Sequence, residues 1–141
     1  LTITWTDATG LVEKMATGVW SAEEVLLAFA KRATIGHQLL NFATEFMIEE
    51  ALDEARKLDA HFKQTGKVVG PLHGVPISVK EMVHFTDRIC HTGYVAWIDR
   101  IAPEDALLIR LLKKAGALFH VRTNEPQTVM VSSSLESIGC S

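Results

Sequence analysis

A lysine at the end of a short apolar run is the residue in this chain best placed to do chemistry. The run is Gly70 to Lys80, GPLHGVPISVK. Glycines and prolines bend and stiffen the approach, and Val75 to Val79 then read as a strand. Pro76 is tolerated near its start because it forfeits only an edge hydrogen bond. A period of two puts Ile77 and Val79 on one face, with Ser78 and Lys80 on the other. Flanked by Val79, Met82 and Val83, the Lys80 amine is expected to lose water, which disfavours the ammonium. A neutral lysine is a general base, able to activate a hydroxyl nucleophile. A weaker alternative is a Schiff base with a carbonyl compound or pyridoxal phosphate, and no glycine-rich phosphate cup accompanies the lysine. The plain alternative is a strand-end lysine that reaches solvent.

Other reactive side chains carry weaker patterns. Ser132-Ser133-Ser134 lacks the surrounding glycines that let a backbone approach an oxyanion. Neither G-x-S-x-G nor S-x-x-K occurs, so the triplet reads as a polar loop. His84, Cys90 and His91 have no evident fourth ligand, and no metal site is expected from them. His73 reads as a packing and hydrogen-bonding residue of the turn. Trp5, Trp20 and Trp97 read as core or rim anchors.

The elements that must position Lys80 are legible from capping and periodicity. Thr6 or Asp7 can cap a first helix, with Leu11, Val12 and Met15 on one face and Gly18 at its end. Ser21 to Glu24 is a capping box, with Trp20 and Val25 as its hydrophobic staple. The second helix is expected to reach about Ile35. An extended piece, Asn41 to Met47, precedes a long helix over Ile48 to Gln64, stopped by Gly66. On that helix Asp53/Lys57 and Asp59/Lys63 are spaced to pair on a solvated face. Pro103 suits a first helical turn, and Leu107, Leu108, Leu111, Leu112 and Ala115 form an apolar stripe. Ala117 to Val121 then reads as a buried strand. The fold class is α/β: N-terminal helices, then the first βαβ part of a mixed, mostly parallel sheet covered by helices. Parallel sheets are covered on both faces. Too few helices are available for that, so exposed apolar surface is expected.

Composition narrows the class. The 141 residues are 48% hydrophobic and 22% charged, with net charge −3, which is ordinary for one globular core. No basic cluster suggests nucleic acid, and no run suits a membrane span. The N-terminal residues have no signal-peptide pattern. Cys90 and Cys140 form no C-x-x-C pair, and a reducing cytoplasm is the expected setting.

Beside these readings stands a resemblance. GPLHGVPISVKE is similar to the lysine-bearing segment of the amidase signature family, G-P-L-x-G-[IV]-P-[IV]-S-[VLI]-K-D. His91-Thr92-Gly93-Tyr94 resembles the family's T-x-G turn, and Val95 to Ile98 resembles its fungal subgroup. Pro103 to Asp105, with Leu107 to Gly116, resembles A-P-x-D-A…LL-x-x-AGA. Ala117 to Gln127, ALFHVRTNEPQ, is similar to A-[VI]-[IL]-x-x-[KR]-T-N-x-P-Q. Ala28 to Gln38 resembles fungal acetamidase-type members. The resemblance implies residues 1–141 as the N-terminal portion of a single catalytic domain. It implies hydrolysis of a small carboxamide without cofactor or metal, with Lys80 as base and two serines lying beyond Ser141. Met130 and Ser132 would line the acyl pocket, and the longer protein leaves room for a homodimer. Glu81 stands where the family usually has aspartate. His120 and Arg122 stand where many members have glycine and lysine, and are expected to narrow the mouth of the site. The competing reading is a truncated, non-catalytic remnant that binds a ligand or partner.

Overall fold

The computed structural model describes residues 2–126 and Val129. Helices α1 (Ala8–Ala16), α2 (Ala22–Leu40) and α3 (Ile48–Thr65) come first, with strand β1 (Ala43–Phe46) between the last two. Strand β2 (Pro76–Lys80), helix α4 (Leu107–Lys114) and strand β3 (Leu118–Thr123) follow. Strand order is β1-β3-β2. β2 and β3 run parallel, joined through α4 as a parallel pair requires. β1 adds to the free side of β3 antiparallel, so the extended piece after α2 is a third strand of a mixed sheet.

The helix starts follow their caps. The Asp7 side chain accepts from the Gly10 amide at 2.8 Å. Ser21 Oγ accepts from the Glu24 amide at 3.0 Å, and the Glu24 carboxylate accepts from the Ser21 amide at 2.9 Å. A cap of this kind contributes about 1 kcal/mol. Gly36 does not stop α2, which runs on to Leu40 and closes at Asn41, where φ is 47°. A left-handed asparagine is a recognised substitute for glycine at such an end.

Two charge pairings differ from the expected solvated face. Lys57 pairs with Glu54 at 2.6 Å. Asp59 turns inward to α2, where its carboxylate accepts from the amides of Ala22 at 2.7 Å and Glu23 at 3.1 Å. Those amides are orphan donors of a helix start, where a negative charge is also favoured. Asp59 therefore ties α3 to α2.

β3 divides its neighbours between two buried clusters. Leu118 packs with Leu11, Met15, Val25, Leu26, Ala51, Ala55 and Val75, which joins α1, α2 and α3 to the sheet. Phe119 packs with Met47, Phe85 and Ile109, its ring edge-on to Phe85 at 5.2 Å. The Gly70–Lys80 turn fits between them at glycine positions. Gly74 has φ +72°, and a Cβ there would lie 2.6 Å from Met15 Sδ. Gly116 has φ +95°, and its Cβ would lie 2.8 Å from the His73 backbone. Only glycine meets both conditions without displacement.

α4 buries a narrower face than its leucines suggest. It begins at Leu107, after Pro103, and Ile109 is its fully buried residue, with Leu112 packed beside it. Leu107, Leu108 and Leu111 are 64%, 57% and 55% exposed. The expected uncovered apolar surface is thus present on this helix, and on α2 at Leu27, Ile35, Leu39 and Leu40.

Candidate active site

Lys80 is the last residue of β2 and lies opposite Thr123 of β3. Alternation along the strand is as expected: Ser78 and Lys80 are exposed, while Ile77 and Val79 are half-buried. The expected shelter is not formed among the described residues, where Lys80 is exposed. Its amine reaches the carbonyl of Asn124 at 3.5 Å. That long bond to a neutral acceptor restrains the amine only lightly.

Behind Lys80 the chain turns inward on a buried carboxylate. Glu81 is 3% exposed. Its Oε1 accepts from the His91 amide at 2.7 Å, and its Oε2 accepts from the Thr92 amide at 3.0 Å. The extra methylene relative to aspartate therefore reaches the first amides of the His91-Thr92-Gly93 turn. The Glu81 backbone is also fixed: its amide donates to Thr123 at 2.9 Å, and its carbonyl accepts from Arg122 at 2.6 Å.

Arg122 does not narrow a mouth, as the resemblance suggested; it is 2% exposed. Its guanidinium donates to the carbonyls of Glu81 and Ile89 and pairs with Glu45 of β1 at 3.2 Å. It also stands 3.9 Å from the Glu81 carboxylate. Arg88 covers the other oxygen of Glu45. A charge so deep in a strand persists only when paired and hydrogen-bonded. His120 is likewise inside rather than at a mouth, and burial holds it below the usual imidazole range, against a hydrogen bond that the ring donates to the Ile77 backbone and that acts in the opposite sense.

Glu125 completes the group. Its Oε2 accepts from the Met82 amide at 3.3 Å, and the carboxyl faces Glu81. Burial, reinforced by the neighbouring Glu81 carboxylate, pushes the Glu125 carboxyl up to about 7. His91 stands 3.7 Å from Glu81. Glu81, His91 and Glu125 bring donor atoms within 4.8 Å of one another, and each Glu81 oxygen accepts one backbone amide.

The remaining sequence-derived candidates fall elsewhere. His73 is buried, its Nδ1 accepts from the Val69 amide at 3.2 Å, and burial holds it below its ordinary range. Cys90 is buried, and desolvation with the nearby Glu81 charge raises its thiol. Trp5 lies exposed under Arg32, and Trp97 packs against Tyr94 and Arg100. Met130 and Ser132 lie outside the described residues. Reading the sequence alone missed Glu125 and the inward role of Arg122. The available signal was one arginine inside the apolar run ALFHVRT, since a buried charge implies a partner.

A parallel strand pair ending in a lysine, behind a helical layer, is the arrangement that the amidase signature motifs imply. The amidase family model matches residues 24–139, and the chain belongs to that family. It is 43% identical over 138 residues to an acetamidase of Emericella nidulans, which covers 98% of this chain and 25% of that protein. An acetamidase of Aspergillus oryzae is 43% identical over 136 residues, covering 96% and 25% respectively. Among solved structures, a fatty acid amide hydrolase superposes with TM-score 0.88 at 48% identity, over 92% of this chain and 23% of that one. A peptide amidase in complex with the inhibitor chymostatin superposes with TM-score 0.79 at 27% identity, over 90% and 26%. The chain therefore spans about a quarter of the length of these relatives.

Proposed function

We propose that residues 1–141 are the N-terminal portion of the catalytic domain of a longer amidase, which converts a small carboxamide and water into a carboxylate and ammonia or an amine. Lys80 is the base in this reading. A neutral Lys80 takes the proton of a bridging hydroxyl, which takes that of a serine whose Oγ attacks the amide carbon. The proton returns by the same route to the departing nitrogen, and water then cleaves the acyl ester. Both serines belong to the chain beyond Ser141. A serine is a poor nucleophile at neutral pH and needs such a base. Met130 and Ser132 would contact the acyl group.

One observation supports the proposal: within a family member, the motif lysine ends β2 as an exposed residue, its amine donating to a carbonyl of the adjacent strand end at 3.5 Å. The shelter that makes it neutral would come from the longer protein. No helix among the described residues is long and apolar enough to cross a membrane, and a cytoplasmic setting suits the cysteine usage. The test is to express the whole reading frame and measure release of ammonia from small amides. Turnover that Lys80→Met leaves intact would overturn the assignment.

A further inference from the structure

We propose that Glu81 is a positioning residue for Lys80: its buried carboxylate holds the 91–93 turn in a strained backbone conformation and ties that turn to the end of β2. The inference rests on Lys80 acting as the base. Thr92 has φ 54° and Gly93 has φ 73°. Glycine enters that left-handed region freely, whereas a β-branched residue there is a steric outlier. Such a residue persists only where its surroundings over-determine it. Here the Glu81 side chain, 3% exposed, does so. Its Oε1 accepts from the His91 amide at 2.7 Å and its Oε2 from the Thr92 amide at 3.0 Å. The turn then closes on itself. The Gly93 amide donates to His91 Nδ1 at 2.9 Å, and the Tyr94 amide to the His91 carbonyl at 2.8 Å.

The same segment is joined to residue 81 a second time. Arg122 Nη2 donates to the Glu81 carbonyl at 2.6 Å and to the Ile89 carbonyl at 2.8 Å. Cys90 Sγ donates to the Met82 carbonyl at 3.1 Å. On the strand side, the Glu81 amide donates to the Thr123 carbonyl, and the Val83 amide to that of Lys80. Together these bonds clasp residues 80–83 between β3 and residues 89–92. Lys80 inherits its place from this backbone, because among the described residues its amine makes one long bond of its own, to the Asn124 carbonyl.

Side-chain length and chemistry both matter at position 81. An aspartate would draw the carboxylate back by one C–C bond, about 1.5 Å, and the pinned Glu81 backbone cannot follow. A glutamine would offer one oxygen and turn its NH2 group toward the second amide, donor against donor. In either case a half-buried amide loses its acceptor, Thr92 relaxes out of the left-handed region, and residues 80–81 lose an anchor.

Hydrogen–deuterium exchange of the whole enzyme, read by mass spectrometry over residues 90–94, tests the tie without requiring turnover. Exchange there is expected to be about tenfold faster in Glu81→Gln than in wild type, as loss of a buried hydrogen bond implies. Glu81→Asp keeps the negative charge beside Arg122 and should show the same acceleration should Glu81→Gln not fold. Wild-type exchange in either folded variant overturns the proposal. Kinetics give a second readout. The kcat of Glu81→Gln is expected to fall about a hundredfold with KM moving less than about twofold, as displacement of a catalytic group requires. Adding Thr92→Gly, which adopts the turn without strain, should recover about tenfold of that loss. A fold loosened throughout would not be repaired by one glycine. An unchanged kcat in Glu81→Gln, or a loss that Thr92→Gly leaves in full, also overturns the proposal. The exchange result is separate from the chemistry, so an enzyme indifferent to Lys80→Met would refute the base assignment and leave the tie between Glu81 and the turn standing.

Discussion

The helical layer and the strand-end clasp hold together by different physics. In the first, α1, α2 and α3 meet Val75 and Leu118 through aliphatic side chains that are almost wholly buried. In the second, the buried groups are Glu81 and Arg122, with Glu45, Glu125 and His91 partly buried beside them. Apolar packing is non-directional and tolerates small adjustments. A buried charged set has no such tolerance, because each missing partner leaves an uncompensated group. The stable layer is thus remote from the lysine, and the fastidious one stands directly behind it.

The comparison can be broken most severely at the lysine. Lys80→Met should lower amide turnover by about 10²–10⁴-fold, the range for loss of a general base. Its thermal melt should stay close to wild type, since among the described residues the amine makes one long bond, to the Asn124 carbonyl. A melt shifted as far as activity would make Lys80 structural. Next comes the buried cation. Arg122→Met removes one cation from Glu45 and the nearby cation from Glu81, together with its bonds to two carbonyls, and should cost about 3–5 kcal/mol by denaturant unfolding. An unfolding midpoint like wild type would show that the clasp contributes nothing to the fold. Leu26→Ala, in the helical layer, should cost about 2–5 kcal/mol through cavity formation, with the pH profile of activity unchanged.

A smaller effect separates the two regions by pH. Glu125 is raised in the folded state from an ordinary value of 4.5 to about 7. Its stabilising contribution is therefore present below about 4.5 and is lost as pH rises to about 7. Glu125→Gln should flatten the stability curve over that window, and an unchanged curve would refute the raised carboxyl. Asp59→Ala should cost about 1 kcal/mol, as loss of a helix cap does, and leave that curve's shape intact.

Much of the fold was readable along the chain because the signals are local. Asp7, Ser21 and Glu24 cap where their spacing says, and β2 alternates as ISVK predicts. The misses share one cause. Asp59 left the expected Lys63 pairing because the amides of α2 arrive beside it only after the helices pack. Leu107, Leu108 and Leu111 face outward because Ile109, a single residue off the stripe, meets Phe85 and Phe119 with Leu112 beside it. Arg122 sits in an apolar run that gives no hint of Glu45, far earlier in the chain.

By itself, the sequence determined the family motifs, the caps, the strand that ends in Lys80 and the glycines that admit the turn. Each depends on neighbours within a few residues, so order along the chain is sufficient. Only the tertiary structure decided that Lys80 lies open to solvent while Glu81, Arg122 and Glu125 close behind it. Those contacts join β1, β2 and β3 across distant stretches, and the desolvation that gives them their strength exists only once the strands have met.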